Sequence, residues 1–194
     1  MAITSAACRA LLKNFRPSEL WVGINPETAA LLHLYESAQA NHMTIHTHTA
    51  GDTVGWGGTK IRVLSPPADW QPIPKRANND SLALLIAYGD TKALLAGDLE
   101  KKMERFVASE SPRADLLKIA HHGSATSTTP ELLAAVQPRF AVISAGYQNS
   151  FGHPRQVVLD RLQAAQVRTY RTDLQGAVTF LLDGKHVEAR VQPE

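Results

Sequence analysis

The sequence predicts an α/β protein with a mixed sheet, on three observations. Apolar or β-branched runs of strand length alternate with amphipathic runs of helical period along most of the chain. Two almost uniformly apolar runs, "LALLIAY" and "KALLAG", flank Gly89-Asp90 and predict a tight hairpin buried on both faces. Beyond them, strand-like and helix-like segments succeed one another, the pattern of strand–helix units running in a common direction.

Each element has its own signal. Ala6 to Lys13 is a short helix candidate, and "ELWVG" (Glu19 to Gly23) reads as a strand. "NPETAALLHLYESAQA" predicts a helix with Asn25 as N-cap and Pro26 in its first turn, its apolar stripe being Leu31, Leu34, Tyr35 and Ala38. A strand follows around Met43 to His48, then the turn-rich "AGDTVGWGG" and the strand "KIRVLSP". Pro66 to Asp80 holds four prolines and reads as a long surface loop within one domain.

After the hairpin, Leu99 to Ala108 predicts a helix with Leu99, Met103, Phe106 and Val107 inward. "DLLKIA" is a strand, the next helix is capped at Thr128 or Thr129, and "FAVISAG" is another strand. A helix is expected from Pro154, then the strand "VRTYRT". The hairpin "AVTFLL-DG-KHVEARV" closes the chain, its Asp183-Gly184 suiting a type I′ turn.

With 194 residues the chain fits one domain, 1–194, long enough to bury a core without staples. Hydrophobic residues at 44% and charged ones at 20% exclude wholesale disorder. Cys8 is the only cysteine, which excludes an internal disulfide and a cysteine-based zinc knuckle. A formal charge of +2 tolerates an anionic substrate but lacks the basic stripe of a dedicated nucleic-acid binder. No run approaches the ~20 apolar residues of a membrane span, and the opening residues make a poor signal peptide. As written, the sequence reads as cytoplasmic.

Polar residues converge where the strands end. "KALLAG" runs into Asp98, "DLLKIA" into His121-His122-Gly123-Ser124, "FAVISAG" through a loop to His153, and "VRTYRT" to Asp173. Parallel strands would gather these groups at one sheet edge, where α/β proteins bind ligands. Histidines with one or two carboxylates suit Zn²⁺ or Mn²⁺. The bland readings are a helix cap for Asp98, turn residues for His121 and His122, and a pre-helix position for His153. Ser124 lacks the Gly-x-Ser-x-Gly elbow of a nucleophile, and "GWGGTK" lacks the spacing of a phosphate-binding loop.

In this order, "NNDSLALL", "LLAGDLE", "ADLLKIAHHGS", "ISAGYQNSFGHP" and "YRTDLQGAVTF" resemble the C-terminal metallo-β-lactamase-like domain of ComEC-type DNA-internalisation (competence) proteins. The resemblance implies an αββα sandwich and a metal-dependent phosphodiesterase or nuclease acting on single-stranded DNA, or another phosphodiester, during uptake. It implies one or two ions, Asp98 and His121 with His122 as metal ligands, and His153 as a group facing the substrate. Asn79 and Ser81 would order the site. In the full-length family the domain is extracytoplasmic, on an inner-membrane channel protein.

The family's His-x-His-x-Asp-His motif lies directly before a stretch like "ITSAACRALLKNFRPSELW". Here that stretch starts at Ile3, so the expectation is a domain lacking its first strands and its main metal motif. Weak metal binding, impaired hydrolysis and self-association through an uncovered apolar face would follow. The alternative function is an inactive remnant or binding module of the same fold; a hydrolase of a phosphocholine ester or lactone is a third. "TIHTHTAGD" imitates the metal motif but has no histidine after His48. His46 and His48 are therefore read as scaffold on one face of a strand entering a turn.

Overall fold

A computed structural model of the chain describes residues 11, 12, 14–72 and 77–191. The helix expected over Ala6 to Lys13 lies outside them apart from Leu11 and Leu12. So does part of the proline-rich loop. Its last residues form a 3-10 turn, Ala77–Asp80.

A small parallel pair comes first, β1 (Glu19–Val22) with β2 (Thr44–Thr47), joined by the helix α1 (Ala29–Ala40). Leu34 and Ala38 of α1 pack with Leu20, Met43 and Ile45 in a core of their own. Helix α1 starts three residues later than the proline signal implies. Thr28 is its N-cap, its hydroxyl accepting from Leu31 N, whereas the Asn25 side chain is turned back to Gly23 O. A cap needs its oxygen over the first turn, and Thr28 meets that condition.

The stretch read as turn-rich contains a strand the sequence reading missed, β3 (Thr53–Trp56). It pairs antiparallel with β4 (Thr59–Ser65) across Gly57 and Gly58, both at positive φ. Two positive-φ residues make the hairpin turn that matches strand twist. Next come β5 (Ala83–Tyr88) and β6 (Thr91–Leu95), the expected hairpin.

From β6 onward the chain is a run of crossovers: α2 (Lys101–Ser109), β7 (Leu116–Lys118), α3 (Pro130–Val136), β8 (Phe140–Ile143), α4 (Gln156–Ala164) and β9 (Arg168–Arg171). The sheet order is β3-β4-β5-β6-β7-β8-β9, antiparallel up to β6 and parallel from β6 to β9. Right-handed crossovers that always step the same way deliver every helix to one face. The main core lies there: Leu94, Leu117, Ala141 and Ile143 of the sheet against Met103, Val107, Leu132, Val158 and Leu162 of the helices. Fully burying each large side chain contributes roughly 1.5–3 kcal/mol.

This topology corrects the expectation of burial on both faces. The alternate residues of the same strands, Leu84, Ile86, Lys118 and Val142, are only half-buried, and Leu95 is 36% exposed. Part of that face is covered by the hairpin β10 (Val178–Leu182) and β11 (Val187–Val191), whose Phe180 packs on Tyr170 and Phe140.

One further boundary is as expected and two differ. Thr129 caps α3, as one of the two threonines expected. Helix α4 begins after Arg155, two residues beyond Pro154. The last hairpin turns through four residues, with the Asp183 carboxylate accepting from Lys185 N and His186 N; Asp183 has no positive φ, so the turn is not type I′.

Candidate functional site

The loops after β6, β7 and β8 meet at the carboxyl edge of the parallel strands. Gly97 opens the first loop at φ +56°, and a Cβ there would lie 2.7 Å from Ser81 Cβ. Glycine therefore lets Ser81 come close, and its hydroxyl accepts from Asp98 N at 3.1 Å. Two residues on, Asn79 Oδ1 accepts from Glu100 N at 2.9 Å. Asp80, buried beside them, takes the Trp70 indole N–H at 2.6 Å and so pins the 3-10 turn. Asn79 and Ser81 thus fix the backbone on which Asp98 stands.

Asp98 is not the helix cap. Glu100 holds that position in α2, leaving the Asp98 carboxylate two residues ahead of it.

The second loop is unusual. His121 and His122 both occupy the left-handed region, with Gly123 following at φ +83°. Histidine is among the residues that tolerate this region, at some cost in strain. The turn is tied to the first loop by His121 N donating to Gly97 O at 3.1 Å. It sends the two imidazoles in different directions. His122 Nδ1 meets Ser144 O at 2.6 Å and its Nε2 lies 3.7 Å from Asp98 Oδ1. A backbone carbonyl can only accept, so Nδ1 carries a proton, and Nε2 is the ring nitrogen that faces Asp98. His121 instead faces Glu100, at 3.9 Å, and His153, with ring centroids 5.9 Å apart.

His153 comes from the third loop, held by Asn149. That side chain accepts from His153 N at 3.0 Å and donates to His153 O at 2.6 Å. Burial pushes His121 below the ordinary histidine range, against the pull of Asp98 and Glu100. His153 is lowered by burial first, then by the cationic form of His121. Both rings are thereby held neutral near pH 7, the state in which imidazole offers a lone pair.

Asp98, His121, His122 and His153 are therefore brought together, with Asn79 and Ser81 behind them. Asp173 is not. It forms a bidentate pair with its own neighbour Arg171, which holds its carboxyl below the usual range. The sequence reading missed Asn149, Phe151 and Glu100. Asn149 and Phe151 lie inside the quoted "ISAGYQNSFGHP", and no periodicity or spacing marks either of them.

The donors fit a divalent metal in kind, and Asp98 with His122 fits one edge of a coordination sphere in spacing. Among the described residues no group of three His, Cys, Asp or Glu side chains could hold an ion.

At "TIHTHTAGD", His48 Nδ1 pairs with Asp52 at 3.1 Å, and the rings of His46, in β2, and His48, just beyond it, stack with centroids 6.0 Å apart. His48 also packs on Trp21, with ring centroids 4.7 Å apart. The cluster lies on the small parallel pair and contributes nothing to the walls of the histidine pocket.

The chain shares the metallo-β-lactamase fold with solved structures. A variant of CmlA β-hydroxylase covers 83% of this chain and 39% of its own length at 14% identity, with a TM-score of 0.54. A second structure of CmlA, a diiron β-hydroxylase from Streptomyces venezuelae, covers 90% of this chain and 40% of its own at 11% identity and 0.51.

Over its matched part the chain belongs with the ComEC-type competence proteins. ComE operon protein 3 of Bacillus subtilis is 39% identical over 147 residues, 75% of this chain and 19% of that protein. Recombination protein 2 of Haemophilus influenzae is 35% identical over 67% of this chain and 16% of its own length. Competence protein ComA of Neisseria gonorrhoeae is 34% identical over 74% and 21% respectively. The chain spans about a fifth of the length of these relatives. No family model matches it. No helix among the described residues is long and apolar enough to cross a membrane.

Proposed function

We propose that this chain is part of a metal-dependent phosphodiester hydrolase domain acting on DNA during uptake. The observation that carries the reading is the Asp98–His122 pair, 3.7 Å apart, with the His122 tautomer set by Ser144 O. Relatives named for competence and recombination support the DNA setting.

Asp98 and His122 would hold Zn²⁺ or Mn²⁺, and His121, neutral and adjacent, is the further candidate. Such an ion, when bound, lowers the pKa of a water and offsets charge on the attacked phosphate. The remaining work falls to the chain itself. Asn79 and Ser81 fix the Asp98 backbone, so the carboxylate does not have to be ordered when substrate arrives. A neutral His153 retains one N–H, a hydrogen-bond donor for charge developing on the phosphate or leaving oxygen. Glu100 lies beside His121, its carboxylate 3.9 Å from Nδ1.

The test is cleavage of an end-labelled single-stranded oligonucleotide with and without Mn²⁺, on this chain and its Asp98→Ala variant. Slow, Mn²⁺-dependent cleavage that disappears in Asp98→Ala is expected. Cleavage unchanged by that substitution would sink the proposal. Oligonucleotide binding indifferent both to Mn²⁺ and to Asp98→Ala would favour the alternative, a binding module on the same fold.

A further inference from the structure

The pocket beside the Asp98–His122 pair has a volume of about 590 Å³. Its walls include His121, His122, Ala145, Gly146, Phe151 and His153, and among the described residues no lysine or arginine lines it. A cleft serving only a phosphate chain would need cationic or amide-lined walls. This one is largely apolar, and one wall is a flat ring. Phe151 is 55% exposed and lies nearly parallel to His153, at 17° with centroids 6.1 Å apart. Half of a phenyl ring left in water beside a polar site has an energetic cost that a packed partner would remove.

The ring is not a loose surface side chain. Asn149 bonds to both Gly146 O and the His153 backbone, and Gly152 N donates to Asn149 O at 3.2 Å. The loop presenting Phe151 is therefore closed on itself, and the ring is positioned by the same asparagine that positions His153.

We infer that Phe151 is a stacking platform for a nucleobase, the one attached to the nucleotide beside the phosphate at Asp98 and His122. This rests on the proposed phosphodiester reading and adds to it a site for an uncharged, planar, aromatic group. Such a base must leave its own helical stack to reach the pocket. The site thus selects unpaired strands over duplex through stacking and not through base-edge hydrogen bonds. Tyr147, 76% exposed on the same loop, is not among the walls of the pocket and serves as a comparison.

The test uses the full chain with Mn²⁺ and fluorescent oligonucleotides carrying phosphorothioate linkages. One is a short oligothymidylate, one an abasic strand of equal length, one a duplex. The wild type should bind the base-bearing strand about ten-fold tighter than the abasic strand, the stacking of one base on one ring. Phe151→Ala and Phe151→Leu should erase that difference while leaving abasic binding unchanged. Phe151→Trp should retain it, and Tyr147→Ala should match the wild type.

Equal affinity for base-bearing and abasic strands in the wild type would overturn the inference. So would a Phe151→Leu variant that still discriminates, or duplex bound as tightly as single strand. The Asp98→Ala cleavage test is independent of these readings: it can fail while base discrimination persists, and the reverse.

Discussion

Gly123 is packed face to face against Pro154. A Cβ on Gly123 would lie 2.6 Å from Pro154 Cβ and 3.0 Å from its Cα, and Arg155 N donates to Gly123 O at 2.9 Å. The histidine turn after β7 and the loop carrying His153 are thus clasped by contacts with no room for a methyl group. Gly123→Ala should destabilise the fold by about 2–3 kcal/mol, from a positive-φ alanine and the clash together. Urea denaturation measures it, and a loss under about 0.5 kcal/mol would mean the two loops are not clasped.

The two histidines of the turn should not be equivalent. His122 faces Asp98 and His121 faces Glu100. Asp98→Ala and His122→Ala should each weaken Mn²⁺ or Zn²⁺ binding by ten-fold or more, and His121→Ala by less. Calorimetric titration of the three variants gives the ranking. Equal losses in His121→Ala and His122→Ala would contradict it.

Glu104 on α2 is fully buried and accepts from Thr128 N and Thr129 N, anchoring the start of α3. Burial raises its pKa more than these bonds lower it. A carboxyl with a raised folded-state pKa favours folding most below its unfolded value, about 4.3, and that contribution is lost as pH rises through the folded value. The stability of wild type relative to Glu104→Gln should therefore fall as pH rises above about 4. A difference that grows with pH would reverse the assignment. Glu104→Ala, which leaves two buried N–H groups without acceptors, should cost about 2–4 kcal/mol near pH 4, a loss that shrinks with rising pH as for Glu104→Gln.

The half-exposed part of this sheet face should associate. Leu84, Ile86 and Leu95 lie on it together with Lys118, whose ammonium is lowered in pKa by burial against some support from Asp98. Sedimentation velocity should find concentration-dependent self-association of the wild type that Leu95→Lys reduces. A wild type monodisperse and monomeric at high concentration would dispose of this expectation.

Much of this architecture was legible in the sequence because its signals are local. The apolar runs around Gly89-Asp90, the stripe of Leu99, Met103 and Val107, and Thr129 ahead of Pro130 each fix an element from neighbours a few residues away. The convergence of Asp98, His121, His122 and His153 was legible too, since parallel strands bring their ends to one edge. What failed depends on partners distant in sequence. Strand β3 is a strand only because β4 pairs with it; Val54 alone gives it too little pattern. The extent of burial of Leu95 depends on which face the crossovers cover. The division of labour between His121 and His122 depends on Ser144 O, twenty-two residues away. Phe151 has no signature at all, because an exposed aromatic in a loop is distinguished only by what stands around it.

Because β6 to β9 step across the sheet in one direction, the architecture separates maintenance from chemistry. The helices and their side chains can vary on the back of the sheet without altering which groups meet at the front edge. The edge, in turn, can acquire a new loop after any one strand without disturbing the other three. Yet no contiguous peptide from this chain contains the site. Asp98, His122 and His153 are neighbours only while three adjacent strands remain in register, so any measurement of their joint chemistry is also a measurement of the sheet's integrity.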